Sequence, residues 1–271
     1  TLRELSQSLE SCGQQLIILD EPVITVLSEL VTEYQVSDLY CSWFAGCDEQ
    51  FVIEQLRRDF TELTIHQASN SHLYSEDQLP FELTRLPSTF TKFRKRVEGI
   101  NLRELVVMPT LPPIVKVEQG LQIHAEEKTQ SIEFFGGEVS GNEHCMGYFS
   151  SKRASEYKLT RNGLDGLGYS TKFSPWLAHG CLSPRQILEA LHQYEQKNGS
   201  NESTYWIFFE LLWREFFYWY ARKWGKNLFH YSGIKTSRKL EVSSGSTLFQ
   251  DWINGNTKFP IVNACMNQLR V

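Results

Sequence analysis

The sequence predicts an α/β segment followed by an all-α segment, and two patterns carry this prediction. Up to residue 66, short apolar runs of strand length alternate with stretches of helical periodicity. Beyond residue 170, Ser-Pro helix starts and one long, strongly aromatic helical run replace the strand signals. Strand–helix–strand order favours a parallel sheet with helices on both faces. The chain therefore combines two fold classes.

The elements of the α/β segment follow from periodicity and from local start and stop signals. Leu2, Leu5 and Leu9 have helical spacing, and Gly13 is a suitable residue to end that helix. In chain order, the predicted elements are a helix over residues 1–12, a strand over 16–19, a helix opening at Pro22, a strand over 36–41, a helix over 51–60 and a strand over 63–66.

Composition excludes several classes of protein. No apolar run reaches the roughly 18 residues of a membrane span, and no basic–apolar leader opens the sequence. The six cysteines form no Cys-x-x-Cys pair, so we expect free thiols and no structural zinc site. We therefore expect an intracellular protein, cytoplasmic or organellar, that is monomeric and binds neither a membrane nor a metal.

Charge is unevenly distributed along the chain. The net charge is −5, but residues 151–240 contain 14 Lys and Arg against 7 Asp and Glu, a local excess of +7. The remaining residues carry −12. A basic segment of this size fits a partner with a phosphate backbone, although a solvated basic face is the simpler alternative. The basic residues Lys92, Arg94, Lys95 and Arg96 of another short helix are expected to be solvated.

Two helix starts lie close together between residues 170 and 185. Ser174-Pro175 and Ser183-Pro184 each combine an N-cap serine with proline at the first helical position. Ser170 and Thr171 add hydroxyls near the first start, where free N–H groups favour a phosphate. The alternative is a helix–turn–helix elbow in which the serines serve only as caps.

A strongly aromatic helix is predicted after Ser203, the expected N-cap. Eleven of residues 204–224 are aromatic, which predicts a buried helix. Glu210 and Arg214 lie four residues apart and are expected to pair with each other, because buried charges need partners. On the residues alone, this pair is either a structural ion pair or part of a binding site.

These motifs together resemble the photolyase/cryptochrome family, and most closely its DASH group. The similarity covers nearly the whole chain. Its most specific parts are Tyr157-Lys-Leu-Thr-Arg161-Asn-Gly, Ser170-Thr-Lys-Phe-Ser-Pro-Trp-Leu-Ala-His-Gly-Cys-Leu-Ser-Pro-Arg185, Phe209-Glu-Leu-Leu-Trp-Arg-Glu-Phe-Phe217 and, more weakly, Gly136-Gly-Glu138 and Trp252-Ile-Asn-Gly255 through Met266.

The resemblance implies a fold and a domain organisation. Residues 1–80 would be part of a doubly wound, parallel-sheet antenna domain, residues 81–132 an interdomain linker, and residues 133–271 the first part of a helical FAD-binding domain. The family's first strands and its later flavin-contacting motifs have no counterpart here. We therefore expect a fragment that lacks both ends of a family member.

The resemblance also implies a function. A parent protein would bind FAD and use blue light to repair cyclobutane pyrimidine dimers, probably in single-stranded DNA. A methenyltetrahydrofolate antenna would bind near Trp43 and Glu49, which are otherwise ordinary loop residues. The alternatives are a non-repairing flavoprotein photoreceptor that binds nucleic acid, and an inactive truncated family member.

Site residues follow position by position from the same resemblance. Glu210 would hydrogen-bond the lesion bases, Trp213 would stack on a flipped pyrimidine pair, and Arg161 would contact a DNA phosphate. The residues expected to bind the flavin are Tyr157, Ser170, Thr171, Lys172, Phe173, Ser174, Glu210, Arg214 and Phe217.

Some positions depart from the family pattern. Gly141 and Gly147 occupy the helix after Gly136-Gly-Glu138 and should weaken it, each by about 1 kcal/mol relative to alanine. Val242 stands where a family tryptophan ends the photoreduction chain. Lys258 and Asn263 replace a glycine and an aspartate.

Overall fold

The computed structural model describes eleven α-helices and two β-strands, besides three short 3-10 helices, and it divides into two compact units. The units are Thr1–Gly225 and Lys226–Val271. The described residues are 1–68, 71–103, 110–114, 117, 120, 134–163, 166, 168–230, 232–234 and 247–270. The elements of the first unit are α1 (Leu2–Ser11), α2 (Val23–Tyr34), β1 (Asp38–Ser42), α3 (Cys47–Asp59), β2 (Thr64–Ala68), α4 (Phe90–Val97), α5 (Glu138–Phe149), α6 (Arg153–Thr160), α7 (Ser174–Ala178), α8 (Pro184–Asn198) and α9 (Glu202–Trp224). The second unit contains α10 (Thr247–Ile253) and α11 (Pro260–Gln268).

The α/β segment has the predicted parallel pairing. Strands β1 and β2 lie side by side in parallel, with Asp38 opposite Thr64 and Tyr40 opposite His66. Helix α3 connects them, as the alternation of patterns predicted. The strand predicted over residues 16–19 is wrong. Residues 14–20 have no regular secondary structure, no strand among the described residues pairs with them, and the Gln15 side chain donates to the carbonyl of Val117 at 3.1 Å.

Three N-cap residues were predicted from the sequence. The one at Ser183 is confirmed, and those at Ser203 and Ser174 are wrong. Ser183 caps α8 as predicted, because its hydroxyl accepts the Gln186 N–H while the Gln186 side chain accepts the Ser183 N–H. Helix α9 is capped by Asn201 instead of Ser203. Ser203 is buried, and its hydroxyl accepts the N–H of Lys158 at 3.1 Å. Ser174 is the first residue of α7 and lies past its cap, Phe173.

The core of the first unit is built around α9. Helices α4, α6 and α8 pack against this helix, and α5 packs against α6 and α8. Apolar side chains from all five helices form one buried cluster, which extends to the chain after β2 through Leu73 and Tyr74. Hydrophobic burial of this extent holds α9 in place and fixes the directions in which its side chains point. Among the described residues, no helix is long and apolar enough to cross a membrane.

Helix α5 forms despite its two glycines, and Gly141 has a packing reason. Gly141 is buried, and a Cβ built there would lie 2.9 Å from Trp176 Cδ1 and 3.2 Å from Leu182 Cγ. Both neighbours are themselves buried in the core. Gly147 is exposed, and a Cβ there would meet nothing within 4 Å. Only Gly141 is therefore required by its surroundings.

Alanine substitutions at these two glycines are expected to have opposite effects. Gly141→Ala gains roughly 1 kcal/mol of helix propensity but loses about 1–3 kcal/mol through overpacking, so it should lower the free energy of unfolding. Gly147→Ala should raise the free energy of unfolding by up to about 1 kcal/mol. Urea unfolding of the two variants measures both changes, and a stabilising Gly141→Ala would contradict the packing argument.

Candidate functional site

The loop before α7 has an unusual backbone for residues with side chains. Ser170 and Lys172 both have positive φ angles, of 59° and 55°. Phe173, which follows directly, is right-handed at φ −75° and ψ −14°. A left-handed residue followed by a right-handed one turns successive N–H groups toward the same side, which makes an anion-binding nest. The loop, residues 170–173, therefore suits a phosphate, and its hydroxyls and the Lys172 ammonium add to this preference.

His144 on α5 holds this loop in place. Its Nε2 donates to the carbonyl of Thr171 at 2.8 Å, and its ring stacks on Trp176 with the centroids 4.6 Å apart. Phe173, the buried residue of the loop, lies edge-on to Tyr148 at 5.4 Å. The sequence did not single out His144, because a lone histidine on a helix carries no pattern of its own.

Arg161, Glu210 and Tyr157 come together where α6 meets α9. Arg161 Nη1 donates to Glu210 Oε1, and the guanidinium carbon lies 4.4 Å from the centre of the Trp206 ring. The Tyr157 side chain is buried beside them, and burial first and the Glu210 charge second raise the pKa of its phenol. Three of the predicted site residues thus share one small region.

The expected pairing of Glu210 with Arg214 is wrong. Glu210 pairs with Arg161 instead, and Arg214 Nη1 donates to the carbonyl of Ser71, in the chain after β2. The spacing of four residues puts the two side chains on neighbouring turns, but each finds a closer partner on a different element. Burial lowers the pKa of the Arg214 guanidinium.

Trp213 and Phe217 form a second group on α9. Trp213 stacks on Phe90 of α4, with the ring centroids 3.7 Å apart and an interplanar angle of 12°. It also stacks more loosely on Phe217, at 5.5 Å and 25°. Phe217 is 59% exposed, so this group reaches the surface. An accessible aromatic stack of this kind suits contact with nucleobases.

Glu215 was missed by sequence reasoning, although it is the most buried charged residue among those described. It is 1% exposed and accepts hydrogen bonds from Leu73 N at 2.7 Å, Tyr74 N at 3.1 Å and Trp219 Nε1 at 2.7 Å. Burial raises the pKa of the Glu215 carboxyl to about 7, against the effect of these donors and of Arg214. A glutamate within an apolar run is the signal that could have identified it.

Three side chains hold the backbone of residues 71–74, and we call this arrangement the joint. Glu215 accepts from two N–H groups, Arg214 donates to the carbonyl of Ser71, and Arg185 Nε donates to the carbonyl of Leu73 at 2.9 Å. The ring of His72, in the same segment, stacks on Trp219 with the centroids 5.5 Å apart. The joint thus connects the α/β segment to helices α8 and α9.

The remaining sequence-derived positions lie elsewhere. Trp43 follows β1 and faces α9, with the Arg222 guanidinium 4.6 Å from its ring centre, whereas Glu49 lies in the first turn of α3. Asn263, in the second unit, accepts from Thr257 N at 2.8 Å and donates to Thr257 O at 2.9 Å, so it fixes a local turn. Val242 lies outside the described residues.

Two family models match the chain. The model for DNA photolyase matches residues 1–113, and the model for the FAD binding domain of DNA photolyase matches residues 206–271. The second match begins at Trp206 and includes the whole Glu210–Phe217 region. The loop at residues 170–173 lies between the two matches.

Relatives and solved structures align along the whole chain. A Vibrio parahaemolyticus protein described as cryptochrome DASH is 49% identical over 99% of this chain, and one from Idiomarina loihiensis is 45% identical over 99%. The chain spans 60% of the length of each.

A solved cryptochrome from Synechocystis has a TM-score of 0.83 at 33% identity, covering 100% of this chain and 59% of its own. A class III photolyase from Agrobacterium tumefaciens, with a TM-score of 0.69 at 20% identity over 99% of this chain and 58% of its own, shares the fold. With two family models, relatives aligned over its whole length and the same fold, the chain belongs to the photolyase/cryptochrome family.

Proposed function

We propose that the protein containing this chain binds FAD and uses blue light to repair cyclobutane pyrimidine dimers in single-stranded DNA. The observation that carries the proposal is the group of Arg161, Trp206 and Glu210, which combines a phosphate ligand, an aromatic ring and a carboxylate. Nucleotide-flipping enzymes need such a combination, because one group must hold the backbone while others stack on the base and read its edge.

The loop at residues 170–173 fits the diphosphate of FAD. Its left-handed residues turn N–H groups toward one side, and Lys172 adds a cationic side chain to the loop. The hydroxyls of Ser170, Thr171 and Ser174 can donate to phosphate oxygens, and Tyr157, Arg214 and Phe217 complete the proposed contacts. When bound, the flavin supplies the light-driven electron donor, which is chemistry that no side chain provides.

The chain's own residues would bind and orient the damaged strand. Arg161 holds a phosphate, and Glu210 accepts hydrogen bonds from the edges of the flipped bases. Trp213 and Phe217 give the bases an apolar surface, which also excludes water. We propose no proton transfer by these groups. A folate antenna near Trp43 and Glu49, single-strand preference and a monomeric state belong to the same proposal.

A second candidate is a photoreceptor of the same family that binds nucleic acid without repairing it. One observation favours it, namely that Trp213 is already stacked on Phe90 at 3.7 Å. If that stack persists when DNA binds, one face of Trp213 is not accessible to a flipped base. Such a protein would bind flavin and oligonucleotide and would leave the dimers intact.

A repair assay separates the candidates. The full-length protein, illuminated with a dimer-containing oligothymidine, should restore undamaged strands in light and not in darkness. Glu210→Gln should lower the repair rate roughly 10- to 100-fold, because one charged hydrogen-bond acceptor contributes about 1.5–3 kcal/mol.

Glu189→Gln is the matched control, since Glu189 is an exposed glutamate on α8. This variant should repair at the wild-type rate. Oligonucleotide binding without repair in the wild type would support the photoreceptor.

A further inference from the structure

Two ion pairs and one tryptophan lie at the contact between α6 and α9, and we call this set of five side chains the seam. Lys158 Nζ pairs with Glu202 Oε1, and Arg161 Nη1 pairs with Glu210 Oε1. Both cations also lie over Trp206, with Lys158 Nζ 5.5 Å and the Arg161 guanidinium carbon 4.4 Å from the ring centre. Each cation of the seam is thus held by one carboxylate and by the same ring.

The two ion pairs differ in exposure. The Lys158–Glu202 side chains are 36% and 70% exposed, whereas the Arg161–Glu210 side chains are 29% and 36% exposed. Exposed pairs contribute little, because water and salt screen them. A partly buried pair interacts more strongly, and removing one member leaves the other charge poorly solvated. Arg161 and Glu210 therefore depend on each other more than Lys158 and Glu202 do.

The seam also keeps Arg161 in place independently of Glu210. Helix α6 is fixed to α9 by the Lys158 N–H, which donates to the buried hydroxyl of Ser203 at 3.1 Å. The Trp206 ring holds the guanidinium by a cation–π contact, which does not use its N–H groups. A second anion can therefore replace Glu210 on Arg161 while the guanidinium stays over the ring.

We propose that Glu210 occupies on Arg161 the place that a nucleic-acid phosphate takes, so that phosphate binding and release of the Glu210 carboxylate are a single exchange. This inference rests on the proposed function, because it deepens the roles given there to Arg161 and Glu210. A guanidinium binds a carboxylate and a phosphate with the same planar arrangement of donors, so the two anions compete for it.

The exchange would make the binding of Glu210 depend on whether the strand presents a flipped base or only stacked, undamaged bases. Once released, the carboxylate lies partly buried beside Trp206 and Tyr157 and needs new donors. A flipped base presents N–H groups on its edge and satisfies it, whereas a stacked, undamaged strand does not. Phosphate binding and base-edge binding are then coupled, and by linkage each strengthens the other. Trp206 is a positioning residue in this scheme, since it acts through Arg161.

Removing the Glu210 carboxylate should raise the affinity for an undamaged strand and lower the preference for a damaged one. In the full-length protein, in the dark, Glu210→Gln should bind an undamaged oligothymidine about tenfold more tightly, because Arg161 no longer has a competing carboxylate. The preference for a dimer-containing strand of the same length should fall about tenfold. Glu202→Gln is the matched control, since it also removes one negative charge beside one cation over Trp206. It should change both affinities by less than about twofold and keep the preference.

Equal effects of Glu210→Gln and Glu202→Gln on the undamaged strand would overturn the exchange, because net charge alone would then explain both. Trp206→Leu adds a second measurement. Without the ring, Arg161 is less constrained, so Glu210→Gln should give a smaller gain in the Trp206→Leu background than in the wild type. A full tenfold gain in that background would overturn the role of Trp206. The undamaged-strand readout needs no lesion, so it remains decisive even if light-driven repair is not found.

Discussion

Glu215→Ala is expected to lower the free energy of unfolding by about 3–5 kcal/mol, the cost of breaking a buried, hydrogen-bonded charge network. The substitution leaves the N–H groups of Leu73 and Tyr74 and the Trp219 indole without their acceptor, in a region from which water is excluded. It also leaves the Arg214 guanidinium buried beside the site without the nearby negative charge. Glu215→Ala should therefore lower the free energy of unfolding more than an alanine substitution at any surface glutamate.

Urea unfolding of Glu215→Ala, with Glu189→Ala as the control, measures this effect. Glu189 lies on α8 and is exposed, so its alanine variant should change the free energy of unfolding by less than about 0.5 kcal/mol. Glu215→Gln keeps an acceptor oxygen and should lose less than Glu215→Ala. Equal stability of the Glu215→Ala and Glu189→Ala variants would show that the hydrogen bonds to Glu215 contribute nothing to stability.

The same carboxyl is expected to make stability depend on pH. Its pKa is about 7 in the folded protein, above its ordinary value of 4.5, mainly because burial disfavours the charged form. Between these two values the folded state binds more protons than the unfolded state, so stability increases as pH falls from about 7 to about 4.5. The difference of roughly 2.5 pH units corresponds to about 3 kcal/mol.

Comparison with Glu215→Gln isolates this contribution. His72 lies in the same joint, and burial lowers its pKa, so its contribution has the opposite sign and decreases as pH falls. Its effect cancels when the pH profile of Glu215→Gln is subtracted from that of the wild type. The free energy of unfolding of the wild type minus that of Glu215→Gln should increase as pH falls from about 7 to about 4.5. A flat difference would mean that Glu215 keeps the same protonation state in the folded and unfolded protein.

Local patterns predicted most of the fold because they act over short distances in the chain. The parallel strands β1 and β2, helix α3 between them and the Ser183 cap all follow from periodicity or from a few adjacent residues. The prediction of a strand over residues 16–19 failed because an apolar run needs a partner strand, and the described residues place none beside it. The cap of α9 moved to Asn201 because Ser203 is used to bind α6.

The sequence indicated which residues belong to the candidate site, but it did not indicate which of them contact each other. Spacing on α9 suggested that Glu210 and Arg214 pair, yet the partner of Glu210 is Arg161, which follows the last residue of α6 and lies 49 residues earlier. Periodicity on one helix carries no information about which other helix lies beside it. Gly141 is a second example. Helix propensity disfavours a glycine at this position, but the packing that requires it comes from Trp176 and Leu182, outside its own helix. Glu215 likewise has no local signal for its two backbone partners, Leu73 and Tyr74, which lie more than 140 residues away.

The joint has a consequence for recombination between family members. The four hydrogen bonds by which Arg185, Arg214 and Glu215 hold residues 71–74 go to backbone N–H or carbonyl groups of that segment. The α/β half of one relative should therefore keep this backbone attachment on the helical half of another, provided that positions 73 and 74 still fill the core as the buried Leu73 and Tyr74 do. A crossover in residues 99–132 preserves this attachment so long as the recipient keeps the two arginines and the glutamate. The α/β half could then be exchanged between family members as one unit.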